Sequence, residues 1–230
     1  MKRILCGLLL VCMLLSGCAA GQKEPEKKQY NASFLTLFDT LTTVVGKAES
    51  EEAFRQTSQA IHDELLQYHQ LFDIYNDYEG INNLKTVNDN AGIAPVTVDS
   101  RILALLKDCK AYHELTNGMV NPAMGSVLQL WHVARNDGIN DPANAYLPKQ
   151  EKLEEASKHM DFGAVVIDEA ASTVYISDPE VQLDVGAVAK GWSVQRVAEN
   201  APAGLLISVG GNVCATGPKD ENGTAWVVGV

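Results

Sequence analysis

The stretch Leu183–Gly191 (LDVGAVAKG) sets a carboxylate, a glycine and an amine close together in the chain. Asp184 ends an apolar run, and Gly186 permits an unusual backbone turn. The helix that follows offers free amide N–H groups to an anion. Lys190, six residues after Asp184, is spaced to meet a phosphate or an adenine edge. Strand, small-residue turn and helix is a common succession, so a purely structural role stays open on spacing alone. A second feature is Leu206–Gly217 (LISVGGNVCATG). Its paired Gly210 and Gly211 follow an apolar strand and allow close backbone approach to a planar ligand or a phosphate. A tight hairpin is the equal alternative, since the run is neither G-x-G-x-x-G nor a Walker loop. In Thr116–Pro122 (TNGMVNP) a helix stop meets a helix start, which leaves Met119, Val120 and Asn121 at a corner suited to a ring edge. A plain helix–helix corner is the simpler reading. Tyr75 and Tyr78, in a loop rich in Asn and Asp, can stack on a planar ring or simply cover the core. The five histidines show no H-E-x-x-H spacing and read as surface or satisfied core residues. No G-x-S-x-G or Cys/His nucleophile arrangement is present.

The chain that must position these groups has 230 residues, 46% hydrophobic and 20% charged. That composition excludes a wholly disordered chain, a collagen and a multi-span membrane protein. A net charge of −11 argues against a nucleic-acid binder. Lys2 and Arg3 precede an apolar run from Ile4 to Leu15, and Leu15-Ser16-Gly17-Cys18 closes it. The run is too short to span a bilayer and has the order of a lipoprotein signal over residues 1–17, with Cys18 as the lipidated residue. Loss of Lys2 and Arg3 takes the net charge from −11 to −13. Residues 18–32, polar and containing Pro25, read as the lipidated cysteine and a flexible tether. The sequence therefore predicts a domain over 33–230 held at the outer side of the cytoplasmic membrane. Cys109 and Cys214 stand apart with no metal spacing; one bridge between them or two free thiols are both open.

Within the domain, Ser33–Val45 reads as a strand and Glu49–Phe72 as a long amphipathic helix. Asp73–Asn90 reads as a loop with at most a short helix. Ser100–Leu115 is a second helix with Ser100 or Asp99 as its cap. Asn121-Pro122 opens a third, running to about His132, with a loop over Asn136–Pro148. A short charged helix follows at Lys149–His159. Ala164–Ile167 and Thr173–Ile176 form a hairpin, Gln182–Val185 a strand edge, and Gly186–Asn200 a helix. Strands are expected at Leu205–Val209, Val213–Thr216 and Thr224–Val230. Irregular alternation with hairpins indicates an α+β fold.

In this order the blocks resemble one family, the ApbE-type FAD:protein FMN transferases. The matching stretches are FDT at Phe38–Thr40, FDIYNDYEGINNLKTVN at Phe72–Asn88, TNGMVNPAMGSVLQLW at Thr116–Trp131, LDVGAVAKGW at Leu183–Trp192 and SVGGNVCATG at Ser208–Gly217. The resemblance implies an ApbE-like fold of mixed sheets with flanking helices. It implies a Mg2+-dependent transfer of FMN from FAD to a threonine of a client flavoprotein, with release of AMP. The client would be a membrane redox complex or an extracytoplasmic flavoprotein. An FAD-binding lipoprotein, or an FAD pyrophosphatase without transfer, is the alternative. Carried over by position, the FAD contacts are Phe38, Tyr75, Met119, Val120, Asn121, Asp184 and Lys190, and the Ala187 carbonyl is a magnesium ligand. Many members have Asp where this chain has Asn121, and Met where it has Phe38. The remaining metal ligands and a flavin-side histidine are expected beyond Val230, so the resemblance implies a chain that holds the N-terminal two-thirds of the domain.

Overall fold

The structure is a computed structural model that describes residues 27–229. The signal, Cys18 and most of the tether lie outside the described residues. Two antiparallel sheets and a set of helices make the fold α+β, as expected. The larger sheet has strand order β1-β2-β6-β7, with β1 Lys28–Leu37, β2 Thr40–Ala48, β6 Leu205–Val209 and β7 Asn212–Ala215. The smaller has order β3-β5-β4, with β3 Val96–Thr97, β4 Val165–Asp168 and β5 Thr173–Ile176. The helices are α1 Glu51–Phe72, α2 Leu84–Asp89, α3 Ser100–Leu115, α4 Gly125–Asn140, α5 Gln150–Ala156 and α6 Gly186–Asn200.

Helix α1 begins where the Ser50 hydroxyl accepts from the Ala53 N–H, with Glu51 and Glu52 in the first turn to complement the dipole. Phe54, Ile61, Leu65, Tyr68 and Phe72 then recur at helical spacing and are buried. They lie against the larger sheet and α6. Along β2, Thr42, Val44 and Gly46 alternate inward and are buried. A Cβ on Gly46 would press on the Leu205 side chain of β6, which would have to turn aside to admit it. Helix α3 is capped by Asp99, not Ser100: its carboxylate accepts from the Arg101 N–H at 2.9 Å. Trp192 of α6 is buried and donates its indole N–H to Asp108 of α3 at 2.7 Å. That bond ties the helix after Asp184 to the middle of the core.

Five expectations need correction. Ser33–Val45 is not one strand but a hairpin, turning at Phe38-Asp39. Strand β1 starts at Lys28, inside the stretch read as tether, because β2 offers it a full antiparallel partner. The helix after Asn121 opens as a 3-10 turn, Pro122–Met124, and α4 then runs to Asn140, through residues read as loop. Gln182–Val185 joins no ladder; its backbone bonds go to other partners, described below. No strand is formed within Thr224–Gly229, where Trp226 instead donates its indole N–H to the Gly217 carbonyl at 3.2 Å. Cys109 and Cys214 are free thiols, Cys109 buried and Cys214 half-buried.

Candidate functional site

A cleft of about 360 Å³ opens between four parts of the chain. The β1–β2 turn supplies Phe38 and Asp39, and the end of α1 with the loop after it supplies His69, Phe72, Asp73, Ile74 and Tyr75. Helix α4 adds His132 and Arg135, and the start of α6 adds Asp184, Val185, Gly186, Ala189 and Lys190.

The first wall rests on an unusual turn. Leu37 pairs with Thr40, so Phe38 and Asp39 are a two-residue hairpin loop, with φ of 52° and 50°. Positive φ at both positions is the type I′ pattern, for which Asn-Gly is the usual sequence. A left-handed conformation costs a side-chain-bearing residue roughly 1–2 kcal/mol, so Phe-Asp needs support. It comes from α1. The Phe38 N–H donates to His69 Nδ1 at 3.2 Å, and the two rings meet edge-on at 5.5 Å. On its other side His69 Nε2 lies 3.4 Å from Tyr78 Oη, which donates to Asp73 Oδ2 at 2.7 Å. Asp73 also accepts from the Tyr75 N–H at 2.7 Å, the Asn76 N–H at 3.2 Å and the Asn76 amide at 2.9 Å. Burial works to raise the Asp73 pKa, but these hydrogen bonds outweigh it and hold the carboxyl below its usual range. Burial and the Asp73 hydrogen bond push the Tyr78 phenol up to about 12.

The opposite wall is carried by Leu183 and Asp184, and their backbone is fixed without a neighbouring strand. The Asn88 side chain acts as one: its Oδ1 accepts from the Leu183 N–H at 2.8 Å and its Nδ2 donates to the Leu183 carbonyl at 3.0 Å. The Asp184 N–H donates to the Pro122 carbonyl at 2.8 Å, and the Gln182 carbonyl accepts from the Gly125 N–H at 2.9 Å. The start of α4 thus docks directly on this segment. A Cβ on Gly125 would sit 2.5 Å from the Gln182 oxygen. Asp184 Oδ1 accepts from the Gly186 N–H at 2.8 Å, and Oδ2 lies 3.4 Å from His132 Nε2. The His132 ring meets Tyr75 edge-on at 5.6 Å. Burial, then the nearby Asp184 charge, raises the Tyr75 pKa. Arg135 and Lys190 complete the cleft as cations with no carboxylate partner among the described residues. The cleft carries both signs, with Asp39, Asp73 and Asp184 lining it beside Arg135 and Lys190, so the two cations can offset an anionic group only locally.

Of the residues singled out from sequence, Phe38, Tyr75, Asp184 and Lys190 are brought together in this cleft. Met119, Val120 and Asn121 do not line it. Met119 is 84% exposed. The Val120 carbonyl meets His113 Nδ1 at 3.0 Å, and Asn121 spends its side chain on the Ala123 N–H and the Met160 carbonyl, both at 2.9 Å. That stretch joins the end of α3 to the 3-10 turn before α4. Ala187 is exposed in the first turn of α6, next to Gly186 of the cleft lining. Cys18 lies outside the described residues. The lining also includes His69, Asp73, His132 and Arg135, which the sequence motifs do not single out. The available signal was the i, i+3 spacing of His132 and Arg135, which puts both on one helical face. Among the described residues, no group of three or more His, Cys, Asp or Glu is gathered to hold a metal ion.

The ApbE family model matches residues 38–230. The FAD:protein FMN transferase of Treponema pallidum is 32% identical over 145 residues, covering 59% of this chain and 38% of its own length. That of Klebsiella pneumoniae is 28% identical, covering 74% of this chain and 52% of its own. That of Haemophilus influenzae is 25% identical over the whole chain and 65% of its own length. The chain thus spans less than two thirds of the length of each. Among solved structures, the ApbE protein of Thermotoga maritima superposes with a TM-score of 0.70 at 26% identity, over 84% of this chain and 60% of that one. The Vibrio cholerae flavin transferase ApbE, at 17% identity, shares the fold, with a TM-score of 0.71 over 89% of this chain and 64% of its own. With the family model matching residues 38–230, most of its length, the chain belongs to the ApbE family.

Proposed function

We propose that the chain carries the FAD-binding part of an FAD:protein FMN transferase. The observation that carries the reading is the cleft: aromatic faces at Phe38 and Tyr75 stand beside Arg135 and Lys190, which have no carboxylate partner among the described residues. That set suits a ligand with planar rings joined by phosphates. The relatives named as FAD:protein FMN transferases supply the reaction class. A hydroxyl oxygen of a client threonine attacks the phosphorus of the FMN half of FAD. The bond from that phosphorus to the bridging oxygen breaks, and AMP leaves with the oxygen. The hydroxyl proton passes to solvent, and the client keeps FMN through a phosphoester.

In this reading Tyr75 and Phe38 hold a ring, while Lys190 and Arg135 offset the charge of the pyrophosphate. Asp184, fixed by the Gly186 N–H, is a hydrogen-bond acceptor toward the nucleotide. The finer reading adds a Mg2+ requirement. The described residues gather no metal site by themselves, so the steps above are written without the ion. The reading also places the protein outside the cytoplasmic membrane, anchored through Cys18, where it would meet extracytoplasmic flavoproteins or a membrane redox complex. No helix among the described residues is long and apolar enough to cross a membrane.

The test is incubation with FAD, Mg2+ and a client bearing a D-G-[ST]-G-A-T acceptor segment. A fluorescent client band in a denaturing gel, with AMP released in equal amount, is the expected result. Omission of Mg2+ with EDTA present reads the metal requirement. AMP release without a labelled client would mean hydrolysis, and FAD binding with neither product would mean capture without turnover. Loss of label in a Cys18→Ser variant's membrane fraction, with fatty-acid labelling abolished, tests the anchor.

A further inference from the structure

Phe38 and Tyr75 reach the cleft from segments far apart in sequence, yet both are suspended from one carboxylate. Asp73 takes the Tyr75 N–H directly, and through Tyr78 and His69 it reaches the Phe38 N–H. The direction of the chain is fixed by its end. A backbone N–H can only donate, so His69 Nδ1 must be the bare nitrogen and the ring proton sits on Nε2. Nε2–H then faces Tyr78 Oη, whose own proton goes to the Asp73 carboxylate. Each group has one role, and no member is free to turn round. The turn at the far end has the backbone of a type I′ loop without its usual residues, so its shape is imposed from outside.

We propose that His69 is a positioning residue for the bound nucleotide: with Tyr78 and Asp73 it locks the Phe38-Asp39 turn so that the cleft presents a preset wall to a planar ring. The proposal rests on the reading that the cleft takes FAD. Its distinctive content is that the acceptor at Nδ1 matters, while bulk and polarity at residue 69 do not.

Two substitutions separate these. His69→Asn keeps an acceptor at the Nδ1 place and gives up the reach to Tyr78. His69→Gln keeps the reach toward Tyr78 and gives up the acceptor for Phe38. FAD binding is followed by quenching of flavin fluorescence, and amide hydrogen exchange is followed on the peptide containing Phe38 without ligand. For His69→Gln the FAD dissociation constant should rise about tenfold, equivalent to ~1.4 kcal/mol, with faster exchange at Phe38. His69→Asn should stay within about threefold of wild type, near the scale of ~0.7 kcal/mol, with Phe38 still protected. Equal binding by wild type and His69→Gln, or equal loss in both variants, overturns the proposal while leaving the transferase reading intact. Failure of the wild-type protein to bind FAD overturns both. Should His69→Gln not fold, His69→Leu, which fills the place without an acceptor, decides: FAD binding about tenfold weaker with faster exchange at Phe38 supports the locked turn, and unchanged binding overturns it.

Discussion

Gly125→Ala should damage the cleft from a residue that does not line it. Gly125 is buried at the start of α4, and a Cβ there would lie 2.5 Å from the Gln182 oxygen, 2.8 Å from its carbonyl carbon and 2.9 Å from its Cβ. Two of those atoms are backbone, so no rotamer change relieves the clash; α4 and the Leu183-Asp184 segment must separate. Overpacking of this kind costs about 1–3 kcal/mol. Separation also strains the Gly125–Gln182 and Asp184–Pro122 hydrogen bonds, each worth about 0.5–1.5 kcal/mol. Against this, alanine gains up to ~1 kcal/mol over glycine in a helix. The destabilising effects win, and the net is a loss of about 2 kcal/mol. For a domain of this size that is a fall in Tm of roughly 4–8 °C. Because the displaced segment carries Asp184, FAD affinity should fall as well. Urea denaturation followed by far-UV circular dichroism gives the first quantity, and flavin quenching the second. Stability within about 0.5 kcal/mol of wild type, the range of an ordinary surface substitution, would refute the claim that α4 and the Asp184 segment are docked backbone to backbone.

Other predictions follow from the same geometry. Asp73→Asn should cost about 1–3 kcal/mol at neutral pH by weakening hydrogen bonds to a charged acceptor. The folded-state pKa of Asp73 is lowered, so its contribution is present above the unfolded carboxyl value of about 3.9 and is lost as pH falls through the folded value. The gap in urea midpoint between wild type and variant should therefore close on acidification below about pH 4; a constant gap would refute it. Arg135→Gln should weaken FAD binding about three- to tenfold at low ionic strength and less at high salt, as for an exposed charge–phosphate contact; titrations at two salt concentrations read this. Burial pushes the Cys109 thiol up to about 12, so iodoacetamide at pH 8 should leave it unlabelled in the folded protein and label it in urea, as peptide mass spectrometry will show.

The elements whose apolar spacing is long and regular were legible in the sequence: α1, α3 and α6, and the β4–β5 hairpin, lie within a residue or two of the expected bounds. What escaped was decided by contacts between distant segments. The Phe38-Asp39 turn carries no Gly or Asn signal, because its shape is held by His69 and not by its own residues. Asn136-Asp137-Gly138 reads as a helix stop, yet α4 continues through it. Gln182–Val185 has the composition of a strand but finds a side chain and a helix start as its partners. The family-like blocks point to Phe38, Tyr75, Asp184 and Lys190, which line the cleft, and equally to Met119, Val120, Asn121 and Ala187, which do not. His69 carries no spacing signal and His132 only its i, i+3 step to Arg135; each acquires its meaning from a partner supplied by folding: Phe38 and Tyr78 for one, Asp184 and Tyr75 for the other.

The Asn88–Leu183 pairing joins residues 95 apart in sequence, and strand β2 finds β6 across a still longer stretch of chain. Contacts of such span form slowly, because loop closure must be met before they reward it. A chain emerging from synthesis with α1 already helical therefore has one aromatic wall and nothing opposite it. The second wall exists only after residues 184–190 have been made and have come back to meet the first. A ligand that needs both walls can therefore be held only by the fully folded chain.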